Sequence, residues 1–224
     1  MSRQSRIIIP GLPHHVTQRG VRRQDVFFTP DDREYYLKWF QQTADKCEVH
    51  TLAYCLMTNH VHFIVVPSHE RSLAQLFKSL HVRYACYLNA HHNWTGHAWQ
   101  ARFFSSTLDG EYLWTAIRYV EQNPVRASMV RHAIDYPWSS AQGHCGQKND
   151  PMLTGNSHWT TILSEVKDWH LWLSSQESHE KVNTLRARSA RDLPCASDPF
   201  LKTLEVTFNR SFRLQPRGRP QKNK

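Results

Sequence analysis

His60 and His62 stand one residue apart in Met57-Thr58-Asn59-His60-Val61-His62-Phe63-Ile64-Val65-Val66. Side chains alternate along an extended strand, so both imidazoles project from one face. Two imidazoles side by side make a ready pair of metal ligands. The pair alone is a poor signal. The chain carries 15 histidines in 224 residues, so a His-x-His is expected by chance, and a solvent-facing strand would carry one equally well. Its setting counts for more, because a short apolar strand tolerates polar side chains only where something satisfies them.

A second constellation lies in Glu111–Val125, read as EYLWTAIRYVEQNPV. Leu113, Ala116, Ile117 and Val120 fall at helical spacing and make a buried stripe. Tyr119 and Asn123 are four apart, so they sit one above the other on its flank. If that flank faces the histidine strand, Asn123 offers a third ligand and Tyr119 points at the metal. Tyr112, two turns earlier, is a rival nucleophile. The plain alternative is that Tyr119 is an ordinary boundary residue of an amphipathic helix.

Together these groups suit DNA cleavage. A tyrosine oxygen can attack a DNA phosphorus, release a 3′-hydroxyl and leave a 5′-phosphotyrosine. A cation held by His60 and His62 would offset charge on the phosphate. The bond formed resembles the bond broken, so the step is reversible and rejoining needs no ATP.

The elements that must position these groups are legible in outline. Arg6–Arg19 reads as a strand interrupted by Pro10-Gly11 and Pro13. Arg19-Gly20-Val21-Arg22-Arg23-Gln24 is a basic loop. Thr29 predicts an N-cap and Pro30 a first helical residue, with the helix reaching Lys46. Residues 49–57 and 60–66 predict a hairpin turning at Thr58-Asn59. A second helix is expected over 72–90, then a polar and aromatic loop over 91–109. A third is expected over 111–122, ending before Asn123-Pro124. This order predicts an α+β sheet with helices packed on it.

Bulk properties bound the rest. With 40% hydrophobic residues, 12% aromatics and a net charge of +9, the chain is expected to hold a core and to favour a polyanionic partner. Five scattered cysteines form no CxxC pair, which argues for a reducing cytoplasm and against a disulfide framework. No apolar run approaches a membrane span and no signal-type segment opens the chain. Residues 181–224 carry eleven Lys/Arg against three Asp/Glu, a local net of +8. The chain therefore divides into a main domain, 1–180, and a basic tail, 181–224. In the tail Asp198 predicts a helix cap before Pro199, and Phe200, Leu204 and Phe208 predict one short docking helix between flexible basic segments.

Four ordered blocks carry a family resemblance: Pro-Gly-Leu-Pro-His-His-Val-Thr-Gln-Arg-Gly, Tyr-Cys-Leu-Met-Thr-Asn-His-Val-His-Phe-Ile-Val-Val-Pro, Trp-Gln-Ala-Arg-Phe-Phe-Ser-Ser and Tyr-Val-Glu-Gln-Asn-Pro-Val-Arg-Ala. The chain resembles the single-tyrosine HUH transposases, and within them the REP-associated tyrosine transposases, over about residues 5–145. Thr58 departs from the family's usual proline, at a turn position. The resemblance implies a ferredoxin-like (RRM-like) antiparallel sheet. It implies His60 and His62 as metal ligands, Asn123 as a further metal-side group, Tyr119 as nucleophile and Mg²⁺ or Mn²⁺ as cofactor. It implies single-stranded DNA beside a palindromic-repeat hairpin as substrate, and a monomer, although some relatives pair the tyrosine of one subunit with the histidines of another.

DNA contacts are expected from the basic loop, through Arg19, Arg22, Arg23 and Gln24. Arg102, interleaved with Trp99, Phe103 and Phe104, suggests base stacking, though individual rings there suit a core equally. Arg118 and Arg126 flank the tyrosine helix. Arg217 and Arg219, in Arg-Gly-Arg-Pro, resemble a minor-groove arm. Two rivals stay open. One is a hairpin-binding module that does not cleave. The other is a two-histidine phosphoesterase, for which His15-Val16-Thr17 would supply the second motif.

Overall fold

A computed structural model describes residues 6–214. The chain runs β1 (His14–Arg19), α1 (Pro30–Lys46), β2 (Val49–Leu56), β3 (His60–Pro67), α2 (Ser72–His92), β4 (Phe104–Thr107) and α3 (Gly110–Glu121). Shorter helices follow: α4 (Asn123–Arg126), α5 (Ala141–His144), α6 (Ser157–Leu163), α7 (Trp169–Ser174), α8 (His179–Ser189) and α9 (Asp198–Phe208). The sheet order is β2-β3-β1-β4, and every pairing is antiparallel. This is the βαββαβ arrangement of a ferredoxin-like sheet. No described helix is long and apolar enough to cross a membrane.

Local chemistry starts the elements where the sequence predicts. The Thr29 hydroxyl accepts the Asp32 amide while the Asp32 carboxylate accepts the Thr29 amide at 2.8 Å, a reciprocal cap with Pro30 behind it. Asp109 caps α3 by accepting the Tyr112 amide at 3.0 Å. Between β2 and β3 the Met57 amide donates to the His60 carbonyl at 2.9 Å and closes the hairpin.

The two sheet faces are packed differently. On one, Val16, Tyr54, Leu56, Val61, Phe63 and Val65 meet Tyr36, Phe40 and Ala44 of α1 and Leu73, Leu76, Phe77, Leu80 and Tyr84 of α2. Phe63 lies flat on Phe40, centroids 4.2 Å apart. On the other, Leu52, Cys55, Ile64 and Val66 lie under Leu113, Ala116, Ile117 and Val120 of α3 and Val182 and Leu185 of α8. This second cover is incomplete, and it leaves a cleft at the His60–His62 end of β3.

Four expectations need correction. The first strand spans only His14–Arg19, because Pro10 and Pro13 remove donors that a longer strand needs. The stretch 91–109 is not all loop, since Phe104–Thr107 pairs with β1. α3 does end before Asn123-Pro124, at Glu121, but Asn123 is itself helical and opens α4, with Pro124 in its first turn, where its missing amide costs nothing. After residue 181 the chain holds two helices rather than one. Much of α8 packs on α3, β1 and β4, and in α9 Ser197 rather than Asp198 holds the N-cap position, without a side-chain capping bond.

Candidate active site

β1 and β3 pair so that Thr17 stands opposite His62 and Arg19 opposite His60. His15 precedes Thr17 by two residues and so shares that face. Its ring lies parallel to that of His62, centroids 5.2 Å apart, and His15 Nε2 hydrogen-bonds His62 Nδ1 at 2.9 Å. The other nitrogen of His15, Nδ1, meets the Ser189 hydroxyl of α8 at 2.9 Å. The His60 ring stands edge-on to His62 at 4.9 Å. Its Nδ1 meets Asn59 Oδ1 at 2.6 Å.

These bonds settle the tautomer of His60 and link that of His62 to His15. Asn59 Nδ2 donates to the Arg23 carbonyl at 3.0 Å, which fixes the orientation of its amide. Its oxygen only accepts, so His60 carries its proton on Nδ1 and a lone pair on Nε2. In the row Ser189–His15–His62, the tautomer with His62 donating from Nδ1 sends the His15 Nδ1 proton to Ser189. It leaves His62 Nε2 bare as well. Neither Nε2 has a hydrogen-bond partner among the described residues. Burial, with Arg19 adding to it, pushes His60 down to about 4. Burial pushes His15 down to about 3, and burial, reinforced by the neighbouring histidines and arginines, holds His62 well below the ordinary imidazole value. All three are neutral at pH 7, the form that binds metal.

α3 brings Tyr119 over this pair. Its ring is edge-on to His62 at 5.6 Å and to His15 at 5.9 Å. Arg126 holds it from behind: Nη1 donates to the Tyr119 carbonyl at 2.7 Å, and the guanidinium lies 4.8 Å from the ring centre. The far end of Arg126 pairs with Glu177. Arg186 of α8 approaches the same ring at 5.3 Å and makes no ion pair among the described residues. A cleft of about 370 Å³ is lined by His15, His60, His62, Tyr119, Arg186 and Ser189, with Arg19 at its edge.

The structure thus gathers His60, His62, Tyr119 and Arg19. It does not bring every expected residue to the cleft. Asn123 is buried one turn beyond Tyr119, does not line the cleft, and its Nδ2 makes a weak 3.4 Å bond to the Val120 carbonyl. Tyr112, the rival nucleophile, also lies outside the cleft lining. Arg118 packs 4.1 Å from the Trp172 ring and lines a separate groove. Arg126 is committed to Tyr119 and Glu177. Trp99 and Phe103 are only 9% and 6% exposed, so they belong to the core rather than to a stacking surface. Arg22, Arg23, Gln24 and Arg102 are exposed. Arg217 and Arg219 lie outside the described residues.

Asn59, Arg186 and Ser189 went unassigned by the sequence, and His15 entered only through the phosphoesterase alternative. His15 had a signal, an alternation with Thr17 on a strand. Asn59 had none beyond its adjacency to His60. Arg186 and Ser189 sit 67 and 70 residues beyond Tyr119 on a polar helix.

Among the described residues no three His, Cys, Asp or Glu side chains converge on one point. The donor set still fits a divalent cation that accepts imidazole nitrogen. Both rings are neutral, line one cleft and are keyed through Nδ1, the arrangement that orients ligating histidines. Further ligands would have to be carboxamide, water or phosphate oxygens, which suits Mn²⁺ better than Mg²⁺.

A family model of IS200-like transposases matches residues 10–123. Among solved structures, that of a REP-associated tyrosine transposase bound to a REP hairpin aligns with a TM-score of 0.57 and 16% identity, over 70% of this chain and 93% of that one. The two share a fold. A candidate transposase from Deinococcus radiodurans aligns with a TM-score of 0.37 and 16% identity, over 54% of this chain and 97% of that one. None of the curated proteins matches the chain.

Proposed function

The chain belongs to the family of IS200-like transposases, and from that premise we propose that it is a metal-dependent single-strand endonuclease and strand transferase. Its substrate is palindromic-repeat hairpin DNA, and Tyr119 is its nucleophile. One observation carries the reading: Tyr119 stands edge-on to His62 in a single cleft with His60.

The Tyr119 oxygen attacks phosphorus, the bond to the 3′ oxygen breaks, and that oxygen takes a proton and leaves as a 3′-hydroxyl. The strand stays on the protein as a 5′-phosphotyrosine, and attack by another 3′-hydroxyl reverses the step. His60 and His62 would hold Mg²⁺ or Mn²⁺, which when bound supplies Lewis-acid charge against the phosphate. Asn123 is proposed as the third ligand, since its weak bond to Val120 is cheaply released. Arg186 offers a fixed positive charge where the transferring phosphoryl group accumulates negative charge. Arg126 positions Tyr119 through its carbonyl and ring. Arg19, Arg22, Arg23, Gln24 and Arg102 are proposed as DNA contacts.

The phosphoesterase rival gains an observation, since His15 and Thr17 do line the cleft. Both nitrogens of His15, however, are already bonded to Ser189 and His62. That leaves it no free position for acid–base work on a substrate.

The test uses end-labelled single-stranded hairpins with Mn²⁺ on a denaturing gel. The expected result is a covalent protein–DNA band that needs both metal and Tyr119 and is absent in Tyr119→Phe. Cleavage that persists in Tyr119→Phe would move the nucleophile to Tyr112 or water. Tight binding without cleavage would favour the binding module.

A further inference from the structure

Of the rings expected to stack on DNA, Trp99 and Phe103 are buried and Phe104 is half-buried beside the catalytic cleft, yet a more open aromatic ledge lies elsewhere. Trp94 is 50% exposed and Phe28 44% exposed. Trp94 stacks on His92 at 4.4 Å, 20° from parallel, and Phe28 stands edge-on to both at 5.6 and 4.7 Å. The ledge is fixed in place. Asn93 ends α2 in a left-handed conformation, the Trp94 amide donates to the Asn89 carbonyl at 2.9 Å, and Asn89 Nδ2 donates to the Gly96 carbonyl at 3.0 Å.

Facing Trp94 is the basic loop, and between them lies a cleft of about 550 Å³. That is within the range of roughly 300–1,000 Å³ common for small-ligand pockets. Arg22, Gln24 and Asp25 line one side, Asn89, Trp94 and His97 the other. Arginine and glutamine donors with an aspartate acceptor match the edge of a nucleobase. Arg22 and Arg23 make no ion pair among the described residues, and both hold positive φ, 53° and 64°. Such backbone strain is concentrated at ligand clamps.

The loop is tied to the residue that keys His60 and to the far wall of its own cleft. The Gly20 amide donates to the Asn59 carbonyl and the Val21 amide to the Ala98 carbonyl, each at 2.9 Å. A Cβ at residue 20 would meet the Gln24 carbonyl oxygen at 2.3 Å, so the loop closes this tightly only on glycine.

We propose that this cleft binds one unpaired nucleobase of the single strand flanking the hairpin, stacked on Trp94, which His92 backs, while Arg22 takes its phosphate. The inference rests on the transferase reading. It adds to it a site that selects single-stranded flank rather than duplex.

Equilibrium binding of the full chain to two probes tests it: a hairpin with single-stranded flanks and the same hairpin with blunt ends. Trp94→Ala is expected to weaken the flanked probe roughly five- to a hundredfold, the usual loss of one stacked base. It should leave the blunt probe within about twofold, and Trp94→Phe should recover most of the loss. Trp94 is exposed, so an unchanged melting curve is expected of both variants. Wild-type affinity of Trp94→Ala for the flanked probe, or equal loss on both probes, would overturn the inference and leave the Tyr119 adduct untouched. Failure of the wild type to bind either probe would overturn the transferase reading and this inference with it.

Discussion

The two faces of β3 are built from one alternating strand and obey different rules. Val61, Phe63 and Val65 enter a face sealed by α1 and α2. His60 and His62, with Ile64 and Val66, enter a face only partly covered by α3 and α8. The sealed face is held by apolar contact, which many residues can supply. The open face has apolar packing under α3 too, but its histidine end is held by directed bonds, Asn59 to His60 and Ser189 through His15 to His62, where each donor and acceptor is particular. Stability and reactivity are thus assigned to opposite sides of the same eight residues.

Acid should have the largest effect, and it reaches both faces, because burial also holds His81 of α2 at about 3 and His14 at about 4. His15 and His60 are held at about 3 and about 4, and His62 moves the same way, against an unfolded value near ~6.5. Below that value the unfolded chain binds more protons, so stability must rise with pH through this window and fall as pH is lowered. Each such histidine contributes up to ~1.4 kcal/mol per pH unit. Metal-free protein is expected to show a melting temperature that drops steadily from pH 7 to pH 5. A flat profile would mean these rings are not buried neutral.

Next in size is the sealed face. Phe63→Ala removes a ring stacked on Phe40 and should cost ~3–5 kcal/mol in urea unfolding, with Mn²⁺ affinity little changed in the fraction that remains folded. The smallest effect belongs to the open face. His15→Ala should lower Mn²⁺ affinity ~10–100-fold by calorimetry, the usual effect of removing a ligand's orienting partner. Ser189→Ala should lower it only several-fold, about the ~0.5–1.5 kcal/mol of one hydrogen bond. If the order reverses, and Phe63→Ala impairs metal binding more than His15→Ala, the division between faces fails.

The sealed face was the legible one. Leu73, Leu76, Phe77, Leu80 and Tyr84 repeat at helical spacing, Thr29-Pro30 marks a helix start, and Pro67 marks a strand end. These are local patterns with local causes. Phe104–Thr107 escaped because two of its four residues are serines and the strand exists only by pairing with β1, some ninety residues earlier. α8 escaped because Val182 and Leu185 are its only buried apolar residues, too few to stand out from a basic tail. Half of the site was legible as well, since His60 and His62 announce themselves by alternation and Tyr119 by helical phase. The keying residues did not, because a bond between residues 174 positions apart, His15 and Ser189, leaves no periodicity to read.

The most direct test of the central claim is the site of covalent attachment. Wild-type protein is incubated with a flanked hairpin and Mn²⁺, digested with protease and nuclease, and its peptides are read by mass spectrometry. The account predicts a residual nucleotide phosphate on Tyr119, in the peptide that ends at Arg126. A phosphate on Tyr112, or cleaved DNA with every tyrosine unmodified, would contradict it.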